Sequence, residues 1–275
     1  MGTRGFAGIQ SILYHIHQPT SLLKTELISS EEVQFLRDQP LHPIHLRSIN
    51  LQTLGDPIES RVWLLGNSDI KIGISTPTEP MLYSYRNGLA DELFFVHEGQ
   101  GELLSQFGKL PFSAGDYVVI PVGTTYSITC SGECRFLVVE SPGRIETPRR
   151  YRNEHGQLLE HSPFCERDIR VPDSLLTYDQ VGEFEVRVRL GHRYTRTILS
   201  HHPFDVVGWD GYLYPWAFNI KDFEPITGRV HQPPPVHQTF ASDGYVICSF
   251  VPRLYDYHPE AIPAPYNHSN VNSDE

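Results

Sequence analysis

The stretch from Pro265 to Glu275, which reads PYNHSNVNSDE, contains the residue types of a metal site. His268 precedes Asp274 by six residues and Glu275 by seven. A neutral imidazole and a carboxylate both bind divalent metals, and a short turn between two strands brings residues at this spacing together. The pattern therefore predicts that His268 and one of the two acids bind a single metal ion.

The same pattern occurs earlier in the chain, but without its histidine. When Tyr85 is set on His268, an Asn and an Asp-Glu pair coincide at an offset of 183 residues (268 − 85). One half of the chain thus has a tyrosine where the other has a candidate ligand. The earlier copy continues through further strands after its Glu, so we expect this chain to stop inside its second site.

Short strands must position these residues. Apolar runs separated by Gly- and Pro-containing turns occur at 92–96, 102–107, 117–120, 124–128 and 134–140. Regularly spaced short strands with turn signals predict a β-sandwich or β-barrel. The 22 prolines and 21 glycines disfavour long helices.

Composition narrows the class of protein. A chain of 275 residues can bury one or two cores. Its net charge of −11 argues against nucleic acid or an anionic membrane as partner. No apolar run approaches the ~18 residues of a membrane span. Residues 1–16 contain no basic segment followed by a long apolar run, as a signal peptide would, so we expect a cytoplasmic protein. The four cysteines lack zinc-site spacing, and we expect reduced thiols.

The remaining histidines have weaker patterns. His231 and His237 flank a Pro-rich loop. His258 and the pair His201-His202 fit ordinary hydrogen-bonded structural groups better than metal ligands.

Residues 115–126 carry a resemblance to the cupins, which are small jelly-roll barrels. Gly115-Asp116 leads into an apolar strand that ends at Pro121-x-Gly123, and a metal-binding histidine follows three residues later in the cupin motif. Here that residue is Tyr126. The first barrel therefore lacks ligands at both expected places, Tyr85 and Tyr126.

Nearly the whole chain resembles the homogentisate 1,2-dioxygenase family, particularly its shorter bacterial members. The stretches that carry the resemblance are 11–15, 64–69, 91–99, 107–112, 115–126, 203–211, 228–237, 250–253 and 265–270. The last four are the more specific, because the first block by itself indicates only a cupin.

The resemblance implies an all-β fold of two cupin jelly-roll barrels (a bicupin), the second incomplete in this chain. It implies an N-terminal metal-free cupin-like domain at 1–145, a crossing segment at 146–200 and the start of the C-terminal cupin domain at 201–275. It also implies homo-oligomers, either trimers or hexamers.

By position, the resemblance implies Fe(II) bound by His268 and by Glu275 or Asp274. Glu275 is favoured because its side chain is longer and because Glu92, its counterpart, directly precedes a strand. The remaining metal histidine is expected beyond residue 275. His231 matches the base that acts on the substrate hydroxyl. The implied reaction is cleavage of homogentisate by dioxygen to maleylacetoacetate, in tyrosine and phenylalanine catabolism.

Two other interpretations stay open. The chain fits a non-catalytic cupin module that binds a ligand or has a structural role. It also fits a cupin metalloenzyme with another substrate, whose metal site is rebuilt from His231 or His237 with His268 and an acid.

Overall fold

The computed structural model describes residues 1–5, 7–30, 44–51, 53–227, 234–254 and 258–260. These residues form strands and single-turn 3₁₀ helices, the latter at Ser48–Asn50, Arg149–Tyr151, Glu166–Asp168, Ile220–Asp222 and Pro234–Val236. The described part of the chain contains no helix with the length and apolarity to cross a membrane. The strands, in chain order, are β1 (Ser11–His15), β2 (Leu22–Ser30), β3 (Val62–Gly66), β4 (Lys71–Ser75), β5 (Ser84–Asn87), β6 (Asp91–Glu98), β7 (Gln100–Ser105), β8 (Gly108–Ser113), β9 (Asp116–Ile120), β10 (Thr125–Cys130), β11 (Arg135–Ser141), β12 (Ile169–Arg170), β13 (Val181–Leu190), β14 (Arg193–His201), β15 (Val206–Gly211), β16 (Trp216–Asn219), β17 (Gln238–Ala241) and β18 (Val246–Cys248).

Strands β4 to β11 form a jelly roll. One of its sheets has the order β5-β10-β7-β8 and the other β9-β6-β11-β4, with every neighbouring pair antiparallel. The chain therefore crosses repeatedly between two facing sheets, as the eight-stranded double Greek key of a jelly roll requires. The predicted all-β jelly-roll fold is confirmed.

Local sequence explains this arrangement. Strands β7 and β8 alternate buried and less buried residues, which gives each a core face and an outer face. Gly99, between β6 and β7, has φ +92°, and a Cβ there would lie 2.4 Å from the carbonyl oxygen of Glu133. This turn therefore requires glycine for its backbone conformation and for the close approach of the segment between β10 and β11.

Later strands extend both sheets of the jelly roll. Strand β13 pairs in parallel with β5, and β14 and β2 follow it. On the other sheet β16 pairs with β9, and β12 pairs with β16. The domain limits at 145 and 200 stay a prediction, but strands from all three segments share these two sheets.

A second apolar cluster covers the outer face of the β9-β6-β11 sheet. Leu93, Tyr117 and Val119 point into it from the strands, whereas Phe218 and Phe240 come from later in the chain. Strand β9 is consequently buried along its whole length. This sheet is the central layer between the jelly-roll core and the aromatic cluster, which explains why its strands are almost continuously apolar.

Replacement of Phe240 by alanine should test how far this second cluster stabilises the whole fold. Phe240 is fully buried and packs edge-on against Tyr117, Trp216 and Phe218. We expect the free energy of unfolding in urea to fall by about 3–5 kcal/mol, the range for Phe-to-Ala changes in cores. Tyr212→Ala, at a residue 81% exposed, is the control and should change it by less than about 0.5 kcal/mol. Equal effects of both changes would show that the cluster does not support the jelly roll.

Candidate functional site in the first jelly roll

The four residues predicted to carry the chemistry lie outside the described residues. These are His231, His268, Asp274 and Glu275. Among the residues that are described, no group of three or more His, Cys, Asp or Glu side chains is arranged to hold a metal ion. The site that can be built from geometry is therefore the centre of the first jelly roll, at the two tyrosines.

Tyr85 and Tyr126 meet in the interior, 41 residues apart in sequence (126 − 85). They face each other across the β5-β10 pair, and their ring centroids are 5.6 Å apart in an edge-on arrangement. Both are completely buried. The sheet thus brings together the two places where the cupin motif would have histidines.

A buried ion pair occupies the space beside these rings. Arg61 Nη1 donates to Glu92 Oε1 at 2.5 Å, and Tyr126 Oη donates to Glu92 Oε2 at 2.7 Å. Arg61 Nη2 donates to the oxygen of Tyr126 at 3.0 Å, which closes a three-membered network. The guanidinium also lies 5.0 Å from the ring centroid of Phe94. Each oxygen of the Glu92 carboxylate therefore accepts a hydrogen bond from a side chain of the protein, one from Arg61 and the other from Tyr126.

Glu92 was expected from the sequence, but Arg61 was not. Glu92 is the second residue of strand β6, at the usual place of the cupin acid. Arg61 directly precedes β3 and has no counterpart in the repeated motif. In the sequence, Arg61 is simply a charged residue at the start of an apolar run, and such a position also fits a solvent-exposed side chain.

These residues do not fit a metal ion. The guanidinium of Arg61 lies against the one carboxylate, where a metal would have to bind, and the two neutral phenols offer weak ligands. Burial, followed by the charge of Glu92, raises the pKa of both Tyr85 and Tyr126 well above the ordinary value. Burial opposes the charge of Arg61, but Glu92 and the phenols outweigh it, and the pKa of Arg61 is raised. The centre thus holds a permanent organic cation.

A second buried charge cluster lies near the first. Glu140 forms ion pairs with Arg189 and with Lys71, the latter at 3.3 Å, and accepts a hydrogen bond from Asn87. Burial and, to a lesser extent, the nearby Arg189 lower the pKa of Lys71 to about 8. Arginines therefore neutralise two buried carboxylates on neighbouring strands, Glu92 on β6 and Glu140 on β11.

His202 has structural surroundings, whereas the buried Nδ1 of His201 has no hydrogen-bond partner among the described residues. His202 Nδ1 accepts a hydrogen bond from the backbone N–H of Phe204 at 3.1 Å, and three aromatic rings pack around the imidazole. Burial lowers the pKa of His202 to about 4. The neighbouring Asp205 carboxylate binds the His15 ring and the backbone of His17. His202 is therefore a neutral packing group, in keeping with its structural interpretation.

Comparison with known proteins gives the family. Residues 71–220 match the family described as Homogentisate 1,2-dioxygenase N-terminal. The chain is also 40% identical over its whole length to a protein of Saccharolobus solfataricus described as a "putative dioxygenase", and it covers 71% of that protein. The chain belongs to the homogentisate 1,2-dioxygenase family.

Two further comparisons show how far the similarity extends. The homogentisate 1,2-dioxygenase of Bradyrhizobium diazoefficiens is 26% identical over 200 residues, which are 69% of this chain and 43% of that enzyme. A cupin-2 domain protein of Shewanella frigidimarina is 21% identical, with a TM-score of 0.29, over 34% of this chain and 86% of that one. The chain thus spans less than half of that named enzyme, and the fold assignment rests on strand order.

Removal of one partner from the Arg61–Glu92 pair should destabilise this family member strongly. Glu92→Leu leaves a buried guanidinium without a counter-charge, and we expect the free energy of unfolding to fall by about 3–5 kcal/mol. Addition of Arg61→Met and Tyr126→Phe should restore at least half of the loss, because no unpaired polar group then remains.

Urea unfolding of the single and triple variants measures both effects. Glu102→Leu is a matched control, because Glu102 pairs with Lys109 at 2.5 Å on the surface. It should cost less than about 1 kcal/mol. If the triple variant is as unstable as Glu92→Leu, loss of packing rather than unpaired charge causes the effect.

Acid should destabilise the protein through His202. In the folded chain its pKa is about 4, against roughly 6.5 when unfolded. Its contribution is therefore complete above pH 6.5 and is lost as the pH falls toward 4. At pH 5 the loss should be about 1 kcal/mol, because solvent around the half-buried ring screens part of the full effect.

The measurement is the free energy of unfolding in urea at pH 7.5 and pH 5 for the wild type and for His202→Asn, whose side-chain oxygen can still accept from Phe204. The drop between the two pH values should be smaller in the variant. His155→Asn, at an exposed histidine, should behave as the wild type. The idea fails if His202→Asn loses as much stability as the wild type.

Proposed function

We propose that the protein acts as a non-haem Fe(II) ring-cleaving dioxygenase that converts homogentisate to maleylacetoacetate in tyrosine and phenylalanine catabolism. The observation that carries this proposal is the family match, joined to 40% identity along the whole chain with a protein described as a "putative dioxygenase". The activity is proposed for the protein as its gene encodes it, since the chain spans only part of its relatives.

The centre of the first jelly roll does not fit an iron site, so the proposed iron ligands come from the second copy of the motif. Arg61 occupies the place beside Glu92 and Tyr126 that a metal would need. His268, with Glu275 or Asp274, has the donor types of a facial triad, in which two histidines and one carboxylate leave three metal positions open. Fe(II) bound there would supply the dioxygen chemistry.

The first copy of the repeat favours Glu275 over Asp274 as the metal-binding acid. Glu92, the counterpart of Glu275, points to the centre of the jelly roll, where it meets Arg61 and Tyr126. Asp91 instead accepts hydrogen bonds from two backbone N–H groups, at 2.8 and 3.0 Å. Neighbouring residues on a strand point to opposite faces, so the same turn in the second copy would direct Glu275 inward.

His231 would act on the substrate rather than on the metal. As a general base it would take the proton of a substrate hydroxyl, and the resulting phenolate is a stronger ligand and electron donor. The proposed substrates are the small aromatic acid and dioxygen. By resemblance, the protein would be a cytoplasmic trimer or hexamer that binds neither nucleic acid nor membrane.

A second candidate is a non-catalytic cupin module that binds a ligand or has a structural role. One observation favours it: the described jelly roll has a well-packed centre in which Arg61 and Tyr126, and not a metal, bind the one carboxylate, Glu92. A cupin metalloenzyme with another substrate has no specific observation in its favour.

Oxygen uptake by the protein as its gene encodes it tests the proposal. After anaerobic loading with Fe(II), addition of homogentisate and oxygen should give one dioxygen consumed per substrate, whereas gentisate or Mn(II) loading should give little uptake. Iron bound without uptake would show that the substrate is wrong, and failure to bind iron would favour the binding module.

Substitutions at the proposed site separate the roles of its residues. His268→Ala and Glu275→Gln should abolish iron binding, and Asp274→Asn should not. His231→Gln should keep the iron but slow turnover by roughly 10²–10⁴-fold, the usual contribution of a general base. His155→Gln, at an exposed histidine, is the control. If Asp274→Asn loses iron and Glu275→Gln keeps it, the acid assignment is wrong.

A further inference from the structure

A cavity of about 360 Å³ opens beside the Arg61–Glu92 centre. Strands β2, β5, β13 and β14 form its walls with the segment from Ile58 to Trp63. Its volume is within the range of small-molecule sites. The cavity belongs to the metal-free jelly roll and shares none of the residues proposed for the iron site.

Three guanidinium groups line this cavity, from Arg61, Arg187 and Arg189. Among the described lining residues, Glu59 is the one acid. Such a concentration of arginine is unusual in a chain with a net charge of −11. The planar guanidinium fork matches carboxylate geometry.

Each of the two later arginines keeps unused donors. Arg187 donates through Nε to Glu185 at 2.7 Å and through Nη1 to Glu59 at 2.6 Å. Arg189 donates through Nε to the carbonyl of Gly191 and through Nη1 to Glu140. Neither Nη2 group donates to another described residue. Both side chains are therefore fixed by their acids, with donors left for a ligand.

Tyr85 provides the second, independent sign of a ligand. It lines the cavity and is completely buried, and its hydroxyl has no hydrogen-bond partner among the described residues. A buried hydroxyl without a hydrogen-bond partner destabilises the fold. A ligand oxygen that accepted from Tyr85 would remove this destabilisation.

The remaining walls are aromatic. Trp63, Tyr83 and Tyr194 line the cavity, and the guanidinium of Arg187 stacks 3.6 Å from the ring centroid of Tyr83. Aromatic faces suit a flat or apolar ligand body. The charged partners around the cavity limit the ligand charge, because each of the three arginines already has an acid. Glu92 pairs with Arg61, Glu140 with Arg189, and both Glu59 and Glu185 with Arg187.

We propose that this cavity binds a small aromatic monocarboxylic acid. The carboxylate accepts hydrogen bonds from the free Nη2 groups of Arg187 and Arg189 and from the Tyr85 hydroxyl, and the ring packs against the aromatic walls. Because each of the three arginines already has an acidic partner, the cavity suits a ligand with one negative charge better than the doubly charged phosphate.

Calorimetric titration of the protein with benzoate tests this inference. Benzoate should bind with one site per chain, and benzamide and inorganic phosphate at least about 10-fold more weakly, a difference of about 1.4 kcal/mol. His268→Ala should leave benzoate binding unchanged, which distinguishes this cavity from the proposed iron site. No binding of benzoate, or equal binding of benzamide or phosphate, would overturn the proposal.

Two variants locate the bound acid. Tyr85→Phe removes a hydroxyl with no partner, so stability should hold or rise while benzoate affinity falls several-fold. Arg187→Lys keeps the charge but loses the fork, and affinity should fall about 10-fold. Tyr14→Phe, at an exposed tyrosine, is the matched control. If benzoate binds the two cavity variants as tightly as the wild type, it binds elsewhere and the proposal is wrong.

Discussion

The buried pair of Arg61 and Glu92 is the interaction on which the interior of the jelly roll depends. A buried carboxylate without a counter-charge is too costly for a protein interior. Here the guanidinium and the Tyr126 hydroxyl satisfy both carboxylate oxygens. Strands from both sheets meet at this network, because Glu92 lies on β6 and Tyr126 on the facing β10. The pair therefore fixes how the sheets face each other as well as the local charge.

The β9-β6-β11 sheet connects the centre of the jelly roll to the aromatic cluster on its outer face. Strand β9 is buried on both faces, against the jelly-roll core on one side and the aromatic cluster around Phe218 and Phe240 on the other. Residues after 145 are thus part of the packing of the first jelly roll. A division into independent domains would have to separate strands that share hydrogen bonds, such as β5 with β13 and β9 with β16.

The sequence predicted those features that repeat along the chain. The strands from 92 to 140 were evident because alternating apolar residues and Gly-containing turns are local signals. The turn at Gly99, for example, requires glycine for steric reasons. Tyr85 and Tyr126 were recognised by motif position. Arg61, Arg187 and Arg189 were not recognised, because their meeting depends on pairing between strands far apart in sequence. The parallel pairing of β5 with β13 has no signature in either strand alone.

Residues outside the repeated motif determine which cation meets the acid of the first copy. In the first copy the carboxylate of Glu92 meets a guanidinium that comes from upstream of β3, outside the repeated motif. Loss of Arg61 alone would not create a metal site, since the raised pKa values of Tyr85 and Tyr126 keep both phenols protonated. Conversely, a second copy with a histidine in place of Tyr85 needs no arginine at that point, because the metal itself would neutralise the acid. In the first copy, the side chains around Glu92 therefore favour an organic cation over a metal.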